Sequence, residues 1–183
     1  MRNFLKIASG IETLPLLLDL HRQPELWNQH PDRTRGDSPH RDVDDIWIRF
    51  RAYDALTSAA SFGEPFVPEF YPAWYALAHL RPIVFGIMAR CEAVQLGGVL
   101  ITRVPPGKRV APHDDRGRWH PVFFGSKVYV VLASNPGCYN TCEDETVVMN
   151  QGEAWSFDNL KTHSTVNGGE TDRVTLIVSM RCE

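Results

Sequence analysis

Two histidines and one aspartate suggest the chemistry of this sequence most directly. One residue separates His113 from Asp115, and His163 follows much later in the chain. Imidazole and carboxylate ligands suit first-row metals, and two histidines with one carboxylate on one face form the ligand set typical of non-haem Fe(II) sites, with coordination positions left open. We therefore predict that His113, Asp115 and His163 bind a metal and form the catalytic centre.

The choice of Asp115 over its neighbour Asp114 depends on the local backbone. Successive side chains of a strand point to opposite faces, so positions 113 and 115 of a strand share a face and position 114 points away. If this segment is a loop, that alternation does not select between the two aspartates. A single histidine is also a surface or core residue more often than a ligand, so the neighbouring residues must support the assignment.

Arg173 is a second candidate, because it stands ten residues after His163 and opens the apolar stretch 174–178. An arginine that points into a barrel is a buried charge, which is costly unless an anion pairs with it. The planar guanidinium suits a carboxylate that accepts two hydrogen bonds. One interpretation is therefore a bound carboxylate ligand, and the other is an ion pair with a nearby acid such as Asp172 or Glu170.

The elements that must position these residues are short strands. Runs rich in β-branched residues alternate with turn signals such as Pro105-Pro106-Gly107 and Asn135-Pro136-Gly137. Strands at this spacing predict a mostly β fold, a jelly roll of two sheets. The predicted strands are 99–104, 127–132, 146–149, 154–157 and 174–178. They place the 113–115 motif after the first strand and His163 in a loop between two later strands.

The first 97 residues have a different pattern. Apolar residues at a loosely helical spacing predict one or two short helices over 11–29 and two helices over 72–95, with a break at Pro82. Residues 46–50 alternate as a strand does. We expect a single domain over 1–183, in which residues 1–97 give helical support and include a possible lid loop at 28–45, and residues 98–183 form the metal-binding jelly-roll core.

The segment 28–45 is polar and rich in charge, proline and glycine. Long loops in compact domains are usually either functional or disordered, which makes this one a candidate substrate lid. In that case its cations would lie over an acidic substrate: Arg33, Arg35, His40 and Arg41. The alternative is a solvated loop with no part in binding.

Composition narrows the class of protein. The 183 residues, 43% of them hydrophobic, suit one core. A net charge of −3 gives no general attraction to a phosphate backbone, so a nucleic-acid partner is not expected. The apolar run at 14–18 is far shorter than the roughly 20 residues that cross a bilayer, and no cleavable leader is visible. We therefore expect a cytoplasmic protein without a membrane partner.

The four cysteines are too sparse for a disulfide framework and lack the paired spacing of a zinc ribbon. Cys138 and Cys142 form the one close pair, with C-x3-C spacing. They are either ordinary thiols in a loop or half of a metal site.

Five short motifs follow one another between about residue 99 and residue 180. They are Val110-Ala111-Pro112-His113-Asp114-Asp115, Lys127-Val128-Tyr129-Val130, the run from Gly152 to Asn159, His163-Ser164 with Asn167, and Asp172-Arg173-Val174. In this order they resemble the aspartyl/asparaginyl β-hydroxylase family. The resemblance implies a double-stranded β-helix (jelly-roll, cupin-like) fold, Fe(II) as cofactor and 2-oxoglutarate as cosubstrate.

The resemblance also implies roles for single residues. The two histidines fall on metal ligands, and Asp115 gives this chain a carboxylate ligand that some members lack. Arg173 falls on the arginine that pairs with the distal carboxylate of 2-oxoglutarate, and Thr102 falls on a hydroxyl residue that assists it. Lys127 stands where many members have an arginine, and Tyr129 where they have a histidine, so both are candidate cosubstrate contacts.

The implied activity is that of a dioxygenase, which uses O2 and 2-oxoglutarate to hydroxylate a C–H bond and releases succinate and CO2. The substrate would be an Asp- or Asn-like peptide side chain or a small molecule. The alternative is a metal-binding cupin-like protein without oxygenase chemistry, such as an isomerase or a ligand-binding module. Arg173 separates the two, because its replacement should raise the requirement for 2-oxoglutarate in the oxygenase alone.

Overall fold

The computed structural model describes residues 2–52, 66–115 and 125–183. Its α-helices are α1 (Leu14–Arg22), α2 (Pro72–Ala76) and α3 (Leu80–Arg90), and 3-10 helices span Pro24–Leu26 and Pro31–Arg33. The strands are β1 (Phe4–Ala8), β2 (Asp44–Phe50), β3 (Glu69–Phe70), β4 (Ala93–Val104), β5 (Arg109–His113), β6 (Ser126–Ala133), β7 (Cys138–Cys142), β8 (Glu145–Val147), β9 (Ala154–Phe157), β10 (His163–Asn167) and β11 (Arg173–Cys182). No helix in these three ranges is both long and apolar enough to cross a membrane.

The strands form two antiparallel sheets. The larger sheet has the order β1-β9-β6-β11-β4-β2-β3, and the smaller sheet has the order β5-β10-β7-β8. This is the double-sheet architecture that the sequence predicts. The strand predicted over 46–50 is confirmed as β2, which pairs with β4, whereas β1, which pairs with β9, was not predicted.

The central strand β11 separates the main core from the interior of the barrel. It lies between β6 and β4, and its residues are buried from Arg173 to Met180. Alternate side chains pack with residues of α1 and α3 in the main hydrophobic core: Val174, Leu176, Val178 and Met180. The other set therefore points toward the smaller sheet: Arg173, Thr175, Ile177 and Ser179.

The helical prediction over 72–95 is correct in type and wrong in its boundaries. The break lies at residues 77–79, between α2 and α3, and Pro82 lies in the first turn of α3. The first backbone N–H groups of a helix have no intrahelical acceptor, so a proline there costs no hydrogen bond. The helix ends before Glu92, which has a φ of 51°, and β4 begins at Ala93.

The smaller sheet contains strands that the sequence pattern did not predict. Cys138 and Cys142, interpreted either as thiols in a loop or as half of a metal site, begin and end β7, and both are buried free thiols. Cys138 Sγ lies 3.1 Å from the amide oxygen of Asn167. His163, expected in a loop, is the first residue of β10. β10 buries polar residues at alternate positions, and β7 buries Asn140 between its two cysteines, which hides the apolar alternation that usually marks a strand.

Candidate metal and carboxylate site

The smaller sheet brings His113 and His163 together. They are direct partners in the antiparallel pair of β5 and β10, and their ring centroids are 4.3 Å apart. Asp115 follows two residues after β5, with Oδ1 4.0 Å from His113 Nε2. One ligand atom from each of the three lies within 4.8 Å of the others. No other group of three or more His, Cys, Asp or Glu residues in the described part of the chain is close enough to hold a metal ion.

Backbone carbonyl groups fix the orientation of both imidazole rings. His113 Nδ1 lies 2.8 Å from the carbonyl oxygen of Ala111, and His163 Nδ1 lies 2.9 Å from that of Lys161. A carbonyl oxygen can only accept a hydrogen bond, so each Nδ1 carries the proton and each Nε2 keeps its lone pair. Fixing the ring in this way is how proteins usually orient histidine ligands of metals.

A loop, not strand alternation, places Asp115. β5 ends at His113, so the alternation argument does not apply to the next two residues. The Asp115 N–H donates to the carbonyl oxygen of Asn159 at 3.0 Å. The Asn159 side-chain amide donates to Asp115 Oδ2 at 2.9 Å, and Lys127 donates to the same oxygen. Asp115 is buried and Asp114 is exposed.

The electrostatic environment keeps the three residues in the charge states that a metal needs. Burial lowers the pKa of His113, and burial with the Lys127 charge lowers the pKa of His163 to about 4. Burial would raise the pKa of Asp115, but Lys127, His163 and the Asn159 hydrogen bond outweigh it and lower the pKa to about 2. At neutral pH the site therefore has two neutral imidazoles and one carboxylate, which are the metal-binding forms.

These residues fit an Fe(II) ion. The donor set is two imidazole nitrogens and one carboxylate oxygen on the interior face of the barrel. His163 Nε2 is buried and has no hydrogen-bond partner among the described residues. A buried lone pair without a partner is unfavourable, and a metal ion would satisfy it.

Arg173 is 1% exposed and lies on the face of β11 that points toward the smaller sheet. Its Nε donates to Thr175 Oγ1 at 3.2 Å, and its Nη2 lies 3.7 Å from Met149 Sδ. Nη1 is buried without a partner in the described part of the chain. Burial lowers the pKa of the guanidinium, yet arginine stays charged in proteins. None of the described carboxylates pairs with this guanidinium, and a bound anion would satisfy it.

The alternative ion pair for Arg173 is not formed. Glu170 and Asp172 are both exposed, and the nearest cation to Asp172 in the described ranges is Arg103, at 4.0 Å. Thr102 is buried and lies opposite Thr175 in the pairing of β4 with β11. The hydroxyl group that accepts from Arg173 is therefore that of Thr175 and not that of Thr102. Thr175 was not identified from the sequence, although it follows Arg173 by two residues on the same face of β11.

Lys127 and Tyr129 lie on the interior face of β6, beside the metal candidates, and both line the pocket there. Lys127 donates to Asp115, as described above. The Tyr129 ring packs 4.7 Å from the Phe157 ring, which itself lies 5.0 Å from the ring of His163. Burial raises the pKa of Tyr129, so its phenol is neutral and able to donate a hydrogen bond.

The pocket lies beside His113 and Asp115, and its lining includes neither His163 nor Arg173. Its apolar wall comes from the larger sheet and includes Phe50, Leu100 and Ile177. Two polar lining residues, Arg33 and His40, come from the segment 28–45. The other two cations of that segment, Arg35 and Arg41, are exposed.

Comparisons with known proteins agree with this arrangement. The profile of the family described as Aspartyl/Asparaginyl beta-hydroxylase matches residues 75–182. The chain is similar to an L-proline cis-4-hydroxylase of Rhizobium meliloti (strain 1021), with 33% identity over 88 residues. That match covers 48% of this chain and only 30% of the relative.

Solved structures share the fold at low identity. An oxidoreductase of the 2OG-Fe(II) oxygenase family from Burkholderia pseudomallei has a TM-score of 0.61 at 15% identity, over 97% of this chain and 83% of the other. A Pseudomonas putida prolyl-4-hydroxylase has a TM-score of 0.57 at 15% identity, over 100% and 94%. These likenesses confirm the predicted mostly β, jelly-roll fold.

Proposed function

We propose that this chain, which belongs to the aspartyl/asparaginyl β-hydroxylase family, is an Fe(II)- and 2-oxoglutarate-dependent dioxygenase that hydroxylates a C–H bond. The observation that carries the proposal is the buried Nη1 of Arg173, which has no hydrogen-bond partner among the described residues and lies on the face of β11 that points toward the smaller sheet. In a metal-binding module without an oxoacid cosubstrate, no bound carboxylate would offset the cost of desolvating this guanidinium.

In this proposal His113, Asp115 and His163 hold the iron. Iron with bound 2-oxoglutarate supplies the oxidising chemistry, in which O2 is consumed, succinate and CO2 are released, and one oxygen atom enters the substrate. The protein fixes the geometry of the ligands through the Ala111 and Lys161 carbonyl groups. The apolar wall of the pocket excludes water from the reacting atoms.

Arg173 would bind the distal carboxylate of 2-oxoglutarate through Nη1, which has no partner among the residues that the structure describes. Thr175 already fixes the guanidinium through Nε, so little side-chain entropy remains to be lost on binding. Thr102, opposite Thr175 in the sheet, and the neutral phenol of Tyr129 are further hydrogen-bonding groups for the cosubstrate. Lys127 would stabilise the other carboxylate of 2-oxoglutarate. Its ammonium group acts as a point charge and cannot form the paired hydrogen bonds of an arginine.

Two classes of substrate are suggested by the names of the similar proteins. The family name points to an Asp- or Asn-like side chain of a peptide, whereas the name of the Rhizobium relative points to the free amino acid L-proline. We favour a small amino acid, because the curated relative that this chain matches is named for a free amino acid. A single domain that comprises both sheets would bind it between them.

The test is a reaction with Fe(II), 2-oxoglutarate and O2 in the presence of a panel of free amino acids and short peptides. Mass spectrometry should show succinate, together with a gain of one oxygen atom in one member of the panel. His113→Ala and His163→Ala should lose both products. Full turnover by either variant, or turnover without 2-oxoglutarate, would refute the proposal.

A further inference from the structure

The segment 28–45 is fixed to the barrel at several points. At its start, Asn28 exchanges hydrogen bonds with the start of β2: its N–H donates to the Asp45 carbonyl oxygen at 2.8 Å, and its side-chain oxygen accepts from the Asp45 N–H at 3.1 Å. In its second half, the Pro39 carbonyl oxygen accepts from the Ala111 N–H at 2.8 Å. Ala111 belongs to β5, the strand that bears His113, so the segment and the metal candidates are held together.

One cation of this segment is buried at the pocket. Arg33 is 8% exposed and lines the pocket, unlike Arg35 and Arg41. Its Nη1 donates to Asp45 Oδ2 at 3.1 Å, and the Asp45 side chain is 0% exposed. Within the described ranges Arg33 forms an ion pair with Asp45 alone, and this pair uses one terminal nitrogen of the guanidinium, Nη1. A guanidinium has five N–H donors, so the Asp45 contact leaves donors for a second carboxylate.

His40, which belongs to the same segment as Arg33, lies next to the candidate metal ligand His113. The His40 ring lies 4.7 Å from the His113 ring, edge to face. Arg33 lines the same pocket as these two rings. Arg33, His40 and His113 therefore form one wall of the pocket.

We propose that Arg33 binds a carboxylate of the substrate and thereby limits the enzyme to small molecules that have a free carboxylate group. This inference rests on the proposed function. The hydrocarbon part of such a molecule would lie on Phe50, Leu100 and Ile177, the apolar residues that line the same pocket. A desolvated arginine rejects neutral analogues strongly, because its donors then lose their water without gaining a partner.

Binding can be measured apart from turnover. Protein loaded with Fe(II) and 2-oxoglutarate is kept free of oxygen and titrated in a calorimeter with the twenty free amino acids and with their primary amides. The amides keep the side chain and lose the carboxylate. We expect at least one free amino acid to bind, and its amide to bind about ten- to hundredfold more weakly, as the loss of a charge-assisted contact implies.

Variants of the segment identify the residue responsible. Arg33→Gln should weaken binding of the free amino acid by a similar factor and abolish the preference over the amide. Arg35→Gln, two residues away and exposed, should bind as the wild type does. Because Arg33→Gln leaves Asp45 buried without its cation, the double variant Arg33→Gln with Asp45→Asn is also needed. A merely structural role for Arg33 predicts that the double variant regains binding, whereas carboxylate binding predicts that it does not.

The outcomes separate this inference from the proposed function. Failure of the wild type to form succinate from 2-oxoglutarate refutes the function itself. Succinate formation together with equal binding of acids and amides, or with no binding of any free amino acid, refutes the role of Arg33 alone. Binding that Arg33→Gln leaves unchanged, or that the double variant regains, refutes it too.

Discussion

His163 lies directly opposite His113 in the pairing of β10 with β5, and each ring donates its Nδ1–H to the carbonyl oxygen of the residue two positions earlier in its own chain segment. The same local device thus orients both rings. Because it fixes the tautomer as well as the tilt, both Nε2 lone pairs are available before any metal arrives. The histidine pair is therefore preorganised by the smaller sheet itself.

The two adjacent aspartates give a matched test of the third ligand. Asp115→Asn removes a buried anion from the proposed metal site, whereas Asp114→Asn changes an exposed side chain. Fe(II) affinity, measured by equilibrium dialysis without oxygen, should fall in Asp115→Asn by more than the roughly 10–100-fold that a lost supporting contact costs. Asp114→Asn should retain wild-type affinity. Equal losses in the two variants would show that the charge of the loop, and not ligation by Asp115, determines binding.

Asn159 should act on the metal through Asp115. Its carbonyl oxygen and its side-chain amide both contact Asp115, and substitution by alanine removes the second contact while keeping the first. Asn159→Ala should lower Fe(II) affinity by about 10–100-fold with little change in the apparent affinity for 2-oxoglutarate at saturating iron. A change confined to 2-oxoglutarate would contradict this assignment.

Arg173 should determine the affinity for 2-oxoglutarate and not that for the metal. Arg173→Gln removes the charge from the barrel interior, and the 2-oxoglutarate concentration for half-maximal succinate formation should rise about ten- to hundredfold. Arg181→Gln, an exposed change on the same strand, is the control and should have no effect. A variant at Arg173 with an unchanged 2-oxoglutarate requirement would favour the cupin-like alternative.

Glu153 should make the stability of the fold depend on pH in the acid range. Its carboxylate accepts from Lys6 Nζ at 2.7 Å, from the Asn150 N–H at 2.8 Å and from Trp155 Nε1 at 3.0 Å. Burial opposes ionisation, but these hydrogen bonds lower its pKa from 4.5 to about 2. A lowered folded-state pKa stabilises the fold above about pH 4.5, and that contribution is lost as the pH falls toward 2.

Denaturant unfolding between pH 7 and pH 2 tests this prediction. Glu153→Gln should lose about 1–2 kcal/mol of unfolding free energy at pH 7 and should show a shallower decline below pH 4.5 than the wild type. Glu170→Gln, an exposed change, should follow the wild-type curve. Parallel curves for wild type and Glu153→Gln would contradict the link between Glu153 and acid stability.

The larger sheet was predictable from the sequence because its strands bury apolar side chains. Residues 99–104, 127–132, 154–157 and 174–178 all lie within strands. β7 and β10 of the smaller sheet were not predicted, since their buried positions include Asn140, His163, Thr165 and Asn167. The polar residues of the site thus remove the periodic signal from the strands that hold them.

The candidate site was predictable where its residues lie in recognisable motifs. His113, His163 and Arg173 fall in such motifs, and the structure brings the two histidines together and buries the arginine nearby. Asp115 was chosen over Asp114 on the alternation of side chains along a strand, but Asp115 lies in a loop after β5, where that alternation does not apply. Of the four cations predicted in the segment 28–45, the sequence could not distinguish the two that line the pocket, because the contact between Pro39 and Ala111 joins residues far apart in the chain.

The most direct test of the central claim is an oxygen-free titration of the protein with Fe(II) in the presence of 2-oxoglutarate, followed by the visible absorption of the iron–keto acid chelate. We predict a band that saturates at one Fe(II) per chain, that is absent from the His113→Ala, His163→Ala double variant, and that needs more 2-oxoglutarate in Arg173→Gln. A band of full intensity in the double variant, or no band in the wild type, would contradict the account.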